Sequence, residues 1–247
     1  VCTSRFWFNY RHVSNALAVY GAARAAGVPD SRVLVLLADD AGCNARNVFP
    51  AAVFDHPSLS RDLLGRHAEV DYRGYSVTVD AFLRLLTDRL PASVPASRRL
   101  LSDSASNVLL YLTGHGGDHF LKFQDADELT ATALSEAIIQ MRLLQRFHRL
   151  FLMVDTCQAG TMLEGLPSPK EAADLLDRAG LAAAARDPTD GSLDFGVIAA
   201  GSARRSQNSY SIHSDSTVGL SLSDRFTSIL LESVNKLSPK RASLMDL

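Results

Sequence analysis

The sequence predicts an α/β fold in three layers: a mostly parallel sheet of about six strands with helices on both faces. Two observations carry this. Short apolar runs recur along the chain without alternating between polar and apolar residues, which is the pattern of strands buried on both faces. Stretches with helical spacing fill the gaps, and strands alternating with helices build parallel crossovers.

Taken in order, residues 1–4 read as the tail of a first strand. Val13, Leu17, Tyr20 and Arg24 share one face of a helix that stops near Gly27-Val28-Pro29. Residues 33–37 read as a second strand. Thr78 caps a helix whose inner face carries Val79, Phe82, Leu83 and Leu86. Strands follow at 107–112, 150–154 and 195–200, with a helix marked by Leu134, Ile138, Met141 and Leu144 before the second of these. A last helix carries Leu222, Phe226, Ile229 and Leu230. Residues 163–194, rich in Ala, Asp, Pro and Gly, read as a partly helical, mobile insertion, and residues 203–217 as a polar loop. Both follow strand C-terminal ends, where open α/β sheets bind ligands.

Composition limits the possibilities. The chain has 247 residues, 47% of them hydrophobic, enough for one domain with a full core, and residues 1–247 are read as one. Its 25 basic and 27 acidic residues nearly balance, with no polybasic stretch, so nucleic acid is not an expected partner. No apolar run reaches the roughly 18 residues of a membrane span. Val1-Cys2-Thr3 opens without Met as a strand already under way, so a processed or truncated form is expected, with any leader or anchor outside it. Cys2, Cys43 and Cys157 are too few for a disulfide framework or zinc cluster, and their odd number leaves a thiol free or paired with another chain.

The chemistry gathers at two strand ends. One runs into Thr113-Gly114-His115-Gly116-Gly117, the other into Asp155-Thr156-Cys157-Gln158-Ala159-Gly160. Parallel strands bring both ends to one sheet edge, where a Cys and a His form a nucleophile with its acid/base. Glycines beside His115 allow close backbone approach, and N–H groups near Gly116 and Cys157 can face an oxyanion. A thiolate at the start of a helix also gains from the helix dipole. The separation of 42 residues, from 115 to 157 with His first, is close to the caspase arrangement, where the His lies about 50 residues upstream of the Cys.

These two motifs resemble those of the caspase-like catalytic subunits of GPI-anchor transamidases, within the legumain-type C13 cysteine peptidases. The opening Val1-Cys2-Thr3-Ser4-Arg5-Phe6-Trp7-Phe8-Asn9-Tyr10-Arg11-His12 is similar residue by residue. So are Leu37-Ala38-Asp39-Asp40, Glu69-Val70-Asp71-Tyr72-Arg73 and Phe120-Leu121-Lys122-Phe123-Gln124-Asp125. The likeness runs to about Gln158 and returns over residues 221–232; between them the chain departs from the pattern. Legumain-type asparaginyl endopeptidases share the Asn-Tyr-Arg-His opening, but have Glu-Ala-Cys-Glu-Ser-Gly at the nucleophile and Asp before the His. Trp7 and the Leu121-Lys122-Phe123-Gln124-Asp125 run also favour the transamidase.

The resemblance implies a caspase-like sandwich and a thioester on Cys157, formed with release of a proprotein's C-terminal signal peptide and resolved by the ethanolamine amine of a GPI lipid. It implies that Asn9 orients His115; the residue type alone equally suits a turn at the start of the first helix. It implies Ca2+ at Asp30, Val33, Glu69 and Asp71 in a structural role, with no organic cofactor. It implies a disulfide from Cys43 to another subunit of a membrane-embedded complex, with the catalytic domain on the luminal side of the endoplasmic reticulum membrane. Cys2 reads as inert core, and His12, His56, His67, His119, His148 and His213 are assigned no catalytic part, though His119 is near enough in sequence to line the cleft. The alternatives are a legumain-like endopeptidase, an inactive caspase-like scaffold and a protease that cuts its own Ala-rich insertion.

Overall fold

The computed structural model describes residues 1–65, 68–183, 185 and 193–236. His67, residue 184 and residues 186–192 of the insertion lie outside the described residues. In chain order the elements are α1 (Tyr10–Ala25), β1 (Leu36–Leu37), β2 (Tyr72–Arg73), α2 (Val79–Leu86) and β3 (Asn107–Thr113). There follow β4 (Gly116–Gly117), β5 (Phe120–Phe123), β6 (Asp127–Thr130), α3 (Ala131–Leu143) and β7 (Arg149–Asp155). The chain continues through α4 (Pro169–Arg178), β8 (Val197–Gly201), β9 (Ser211–Asp215), β10 (Leu220–Asp224) and α5 (Arg225–Lys236).

The parallel sheet expected from the apolar runs is present as two ladders, β3-β7-β8 and β1-β2. In the larger one Asn107 pairs with Arg149 and Thr113 with Asp155, so β3 and β7 end level with each other. Cys2 joins the ladders by parallel bridges to Leu37 and Thr113. Residues 1–4 therefore contribute a bridge at the seam rather than a strand, and among the described residues these ladders hold five strands, β2 not foreseen among them, where about six were expected.

Both faces are covered. On one, Leu36, Leu110, Leu112, Leu152 and Val154 pack with Phe82 of α2 and Leu134, Ile138 and Met141 of α3. On the other, Cys2, Val35 and Leu37 pack with Tyr10, Val13 and Leu17 of α1 and Leu222 of β10. Each fully buried leucine of these layers contributes about 1.5–3 kcal/mol of transfer free energy. Thr78 caps α2 as expected, its hydroxyl accepting from the Ala81 N–H.

Four sequence expectations are corrected. The strand at 33–37 shrinks to Leu36–Leu37, because Val33 closes a 3-10 turn onto Asp30 and the Val35 N–H goes to the Asp71 carboxylate at 2.8 Å. The strand at 195–200 starts at Val197, because Gly196 sits at φ 77 and its N–H bonds Asp194. Residues 203–217 are not all loop: β9 pairs antiparallel with β10. Leu222 belongs to β10 and not to the last helix, while Leu144 and Ile229 are exposed. The segment read as an insertion holds α4, whose Ser168 and Glu171 form a reciprocal cap.

Candidate active site

His115 and Cys157 stand two residues beyond Thr113 and Asp155, the paired last residues of β3 and β7. The register thus sets them side by side at one sheet edge, and both are half-buried. The glycine after the imidazole is sterically required: a Cβ on Gly116 would lie 2.6 Å from Thr156 Oγ1 and 2.7 Å from the Phe120 carbonyl oxygen. That contact presses the His115 segment against the Cys157 segment.

The His115 ring is held by Asn9. His115 Nε2 lies 2.7 Å from Asn9 Oδ1, while Asn9 Nδ2 donates to the Arg5 carbonyl at 2.6 Å. The second bond settles the first. A carbonyl accepts only, so the amide nitrogen faces Arg5 and the amide oxygen must accept from a protonated Nε2. His115 is therefore the Nε2–H tautomer, and Nδ1 is its basic nitrogen. Burial lowers the affinity of this imidazole for a second proton, and the charge of Arg11 acts in the same direction, followed by an opposing pull from Asp125 and a smaller push from Lys122. Asn9 is 1% exposed and precedes α1 without capping it, so its side chain is given to His115 rather than to the helix.

Cys157 sits in a tight corner. Gln158 adopts a left-handed conformation, φ 54 and ψ 27, before a 3-10 helix of five residues, Ala159–Leu163. The helix start expected behind the thiol is thus only a short turn, and its dipole support is correspondingly small. The corner is strapped by the chain after β8. Gln158 N–H donates to the Gln207 carbonyl at 2.9 Å and Gly160 N–H to that of Ala203 at 2.8 Å, while the Ser202 hydroxyl bonds both backbone groups of Thr156. The Cys157 N–H donates to no described residue, which suits the oxyanion role expected of it with Gly116. The same strap lines a polar pocket of about 370 Å³ with Ser206, Asn208 and Tyr210.

Other sequence-selected residues lie apart. Asp30, Glu69 and Asp71 interact with one another: Asp30, first by a hydrogen bond and then by charge, raises the Glu69 pKa, and Asp71 adds to it. Among the described residues no group of three or more His, Cys, Asp or Glu is gathered closely enough to hold a metal ion. Cys43 is exposed and unpaired in this chain, and Asp40, by hydrogen bond and charge, raises its thiol pKa. Cys2 is 0% exposed, and burial pushes its thiol up to about 11, in keeping with inert core. His119 bonds Glu164 and Asp118 in an exposed cluster with Arg205. No helix among the described residues is long and apolar enough to cross a membrane.

Sequence reading missed two residues. His12, given no part, packs edge to face against His115 with ring centroids 4.9 Å apart. Asp224, not singled out, lies 3.6 Å from His12 Nε2. Nothing local could have found them, since 212 positions separate 12 from 224; only His12's place in the Asn9-Tyr10-Arg11-His12 run hinted at a shared face.

Comparison with known proteins identifies the family. The model of the Peptidase C13 family matches residues 1–175. The GPI-anchor transamidase of Schizosaccharomyces pombe is 44% identical over 232 residues, 94% of this chain and 54% of that protein. The Saccharomyces cerevisiae GPI-anchor transamidase is 43% identical over 96% of the chain and 51% of its own length, and the human one 42% identical over 100% and 56%. The chain spans about half the length of the curated relatives it matches. With the family model covering well over half of it, the chain belongs to the Peptidase C13 family.

Proposed function

We propose that this chain is the catalytic domain of a GPI-anchor transamidase. The observation that carries the reading is the Asn9–His115 bond, with its tautomer fixed, beside Cys157 at one sheet edge. Likeness to transamidases over nearly the whole chain selects the reaction from those open to a Cys–His pair.

Nδ1 of His115 takes the Cys157 thiol proton, and the sulfur attacks the carbonyl carbon of the attachment residue in a proprotein. The oxyanion lies against N–H groups at Gly116 and Cys157. As it collapses, the C–N bond breaks, the amine of the signal peptide leaves with the His115 proton, and a thioester remains. The ethanolamine amine of a GPI lipid then gives its proton to His115 and attacks the thioester. The new C–N bond forms as the thiolate leaves. Attachment signals place small residues at the scission point, before a polar spacer and an apolar tail, so a shallow site suffices.

The same reading places the domain in a membrane-embedded complex on the luminal side of the endoplasmic reticulum, with Cys43 linked to another subunit. The exposure of that thiol supports this. It also gives Ca2+ a structural place at Asp30, the Val33 carbonyl, Glu69 and Asp71. The donor set offers the hard oxygens that suit this ion, and a cation would relieve the repulsion among the three carboxylates, but the side chains would have to draw together around it. A higher melting temperature in Ca2+ than in chelator, abolished by Asp71→Ala, would support it.

The test of the main reading is Cys157→Ala in the full-length protein, expressed in cells lacking their own subunit. Surface display of a GPI-anchored reporter should be lost; display at the wild-type level overturns the assignment.

A further inference from the structure

His115 makes one ring hydrogen bond to described residues, the one to Asn9. A single bond at one nitrogen leaves the ring free to swing about it. The second wall is His12, whose ring meets that of His115 at 81°. His12 is 2% exposed, and its burial is unusually well furnished for a residue outside the Cys–His pair. Its Nδ1 is 2.9 Å from the Ser4 hydroxyl. Its Nε2 is 3.6 Å from Asp224 Oδ2.

Asp224 is itself fixed from three sides. Arg11 Nε donates to Oδ1 at 3.0 Å and Asn15 Nδ2 to Oδ2 at 2.7 Å. The Asp224 N–H returns to Asn15 Oδ1 at 3.0 Å. Buried polar groups cost stability unless they are satisfied, and an apolar packing would hold α1 to β10 without that cost. This set occurs where α1 and β10 meet behind the imidazole.

We infer that His12, bonded to the Ser4 hydroxyl and packed against Asp224, is a positioning residue that fixes the plane of the His115 ring. The inference rests on the assignment of Cys157 and His115 proposed above. It concerns how the base is held and not what it attacks.

The electrostatics agree with the geometry. Proton transfer from Cys157 turns His115 into a cation. A second cation 4.9 Å away would oppose that step. Burial, with Arg11 and His115 adding to it, keeps His12 well below its ordinary pKa and so neutral. The charged or titratable groups facing this pair are Arg11 on α1, Asp224 on β10 with Asp155 of β7 behind it, and Lys122 and Asp125 beside His115. Asp224, whose carboxyl burial raises to about 7, lies against Arg11, and Arg11 disfavours the imidazolium.

The test is the pH profile of Cys157 alkylation by iodoacetamide, followed by mass spectrometry in the full-length protein purified with its subunits. An unassisted thiol reacts with a midpoint near pH 8.5, and a thiolate supported by an imidazolium reacts at lower pH. His12→Phe fills the slot but cannot bond Ser4, and should raise the midpoint by about half a pH unit or more. Asp224→Asn should move it the same way by less. A purely structural role would lower the melting temperature and leave the midpoint unmoved. Wild-type midpoints in folded His12→Phe and Asp224→Asn proteins overturn the inference. Should His12→Phe fail to fold, Ser4→Ala and Asp224→Asn, each altering one neighbour of His12, are judged by the same criterion. His115→Ala separates the two levels: if it alone leaves the profile unchanged, the Cys–His pairing falls; if it moves the profile and the others do not, only the positioning role falls.

Discussion

The two walls of the site are built in opposite ways. The imidazole wall is a buried polar framework: Asn9, His12 and Asp224 are 1%, 2% and 3% exposed. Their partners are mostly side chains, Arg11 and Asn15 of α1 for Asp224, Ser4 for His12 and His115 for Asn9. The thiol wall is held mostly by backbone: Gln158 and Gly160 donate to carbonyls of the strap at 202–207, with the Ser202 hydroxyl on Thr156 and the Gln158 amide on Ser206, and the ion pairs around it are exposed. Arg205 reaches Asp118 and Glu164, each at 2.6 Å and each at the surface. A base whose tautomer matters needs side-chain partners of defined donor and acceptor type. A nucleophile entering a peptide bond needs access, and a backbone strap leaves room for substrate.

That contrast makes the imidazole wall the more fragile to substitution. The largest effect is expected from Asn9→Ala. Freed of its acceptor, His115 loses its fixed tautomer, and anchor attachment should fall by about 10²-fold or more. A rate near wild type would remove the tautomer argument. Gly116→Ala, where a methyl meets Thr156 and the Phe120 carbonyl, should cost about 1–3 kcal/mol of stability in urea unfolding. An unchanged midpoint would mean the walls are not pressed together.

Thr227→Val tests the floor beneath both walls. Thr227 Oγ1 donates to Asp155 Oδ2 at 2.6 Å, and both residues are buried. Leaving that carboxylate oxygen without its donor should cost about 1–3 kcal/mol. A smaller, signed effect belongs to Asp224. Burial first, and then the charge of Asp155, raise its carboxyl from 3.8 to about 7. The folded state therefore holds this proton more tightly than the unfolded chain. Its contribution to stability is full below about pH 4 and is lost as pH rises through about 7. The difference in stability between Asp224→Asn and wild type should move in the variant's favour over that window; a difference independent of pH would contradict the raised value. Least of all is expected from Arg205→Ala, whose ion pairs are solvent-exposed and salt-screened. A large loss there would show that the thiol wall depends on side chains after all.

Much of this was legible in the sequence, and what was legible was local. The runs at 107–112 and 150–154 are continuous apolar strands, and the structure extends them by a residue or so to β3 and β7. Their equal ends put His115 and Cys157 on one edge without further information. Asn9 was visible as a residue type with two possible uses, and the structure spends it on His115. What stayed hidden depended on partners far along the chain. Strand 33–37 was shortened by a carboxylate at position 71, β9 needed β10 to exist at all, and His12 acquired its setting from position 224. Periodicity reports which face of an element is dry, not which distant residue meets it there.

Synthesis runs from the N-terminus, and the seam residue Cys2, Asn9 and α1 emerge before the residues they meet. Asn9 waits 106 residues for His115, and Asn15 waits 209 for Asp224. A nascent chain that has passed Cys157 therefore carries a thiol whose base is not yet braced. The hairpin of β9 and β10, made after the nucleophile, is what completes the framework behind the imidazole. Order of emergence thus leaves the bracing of the base to be finished after the nucleophile has been made.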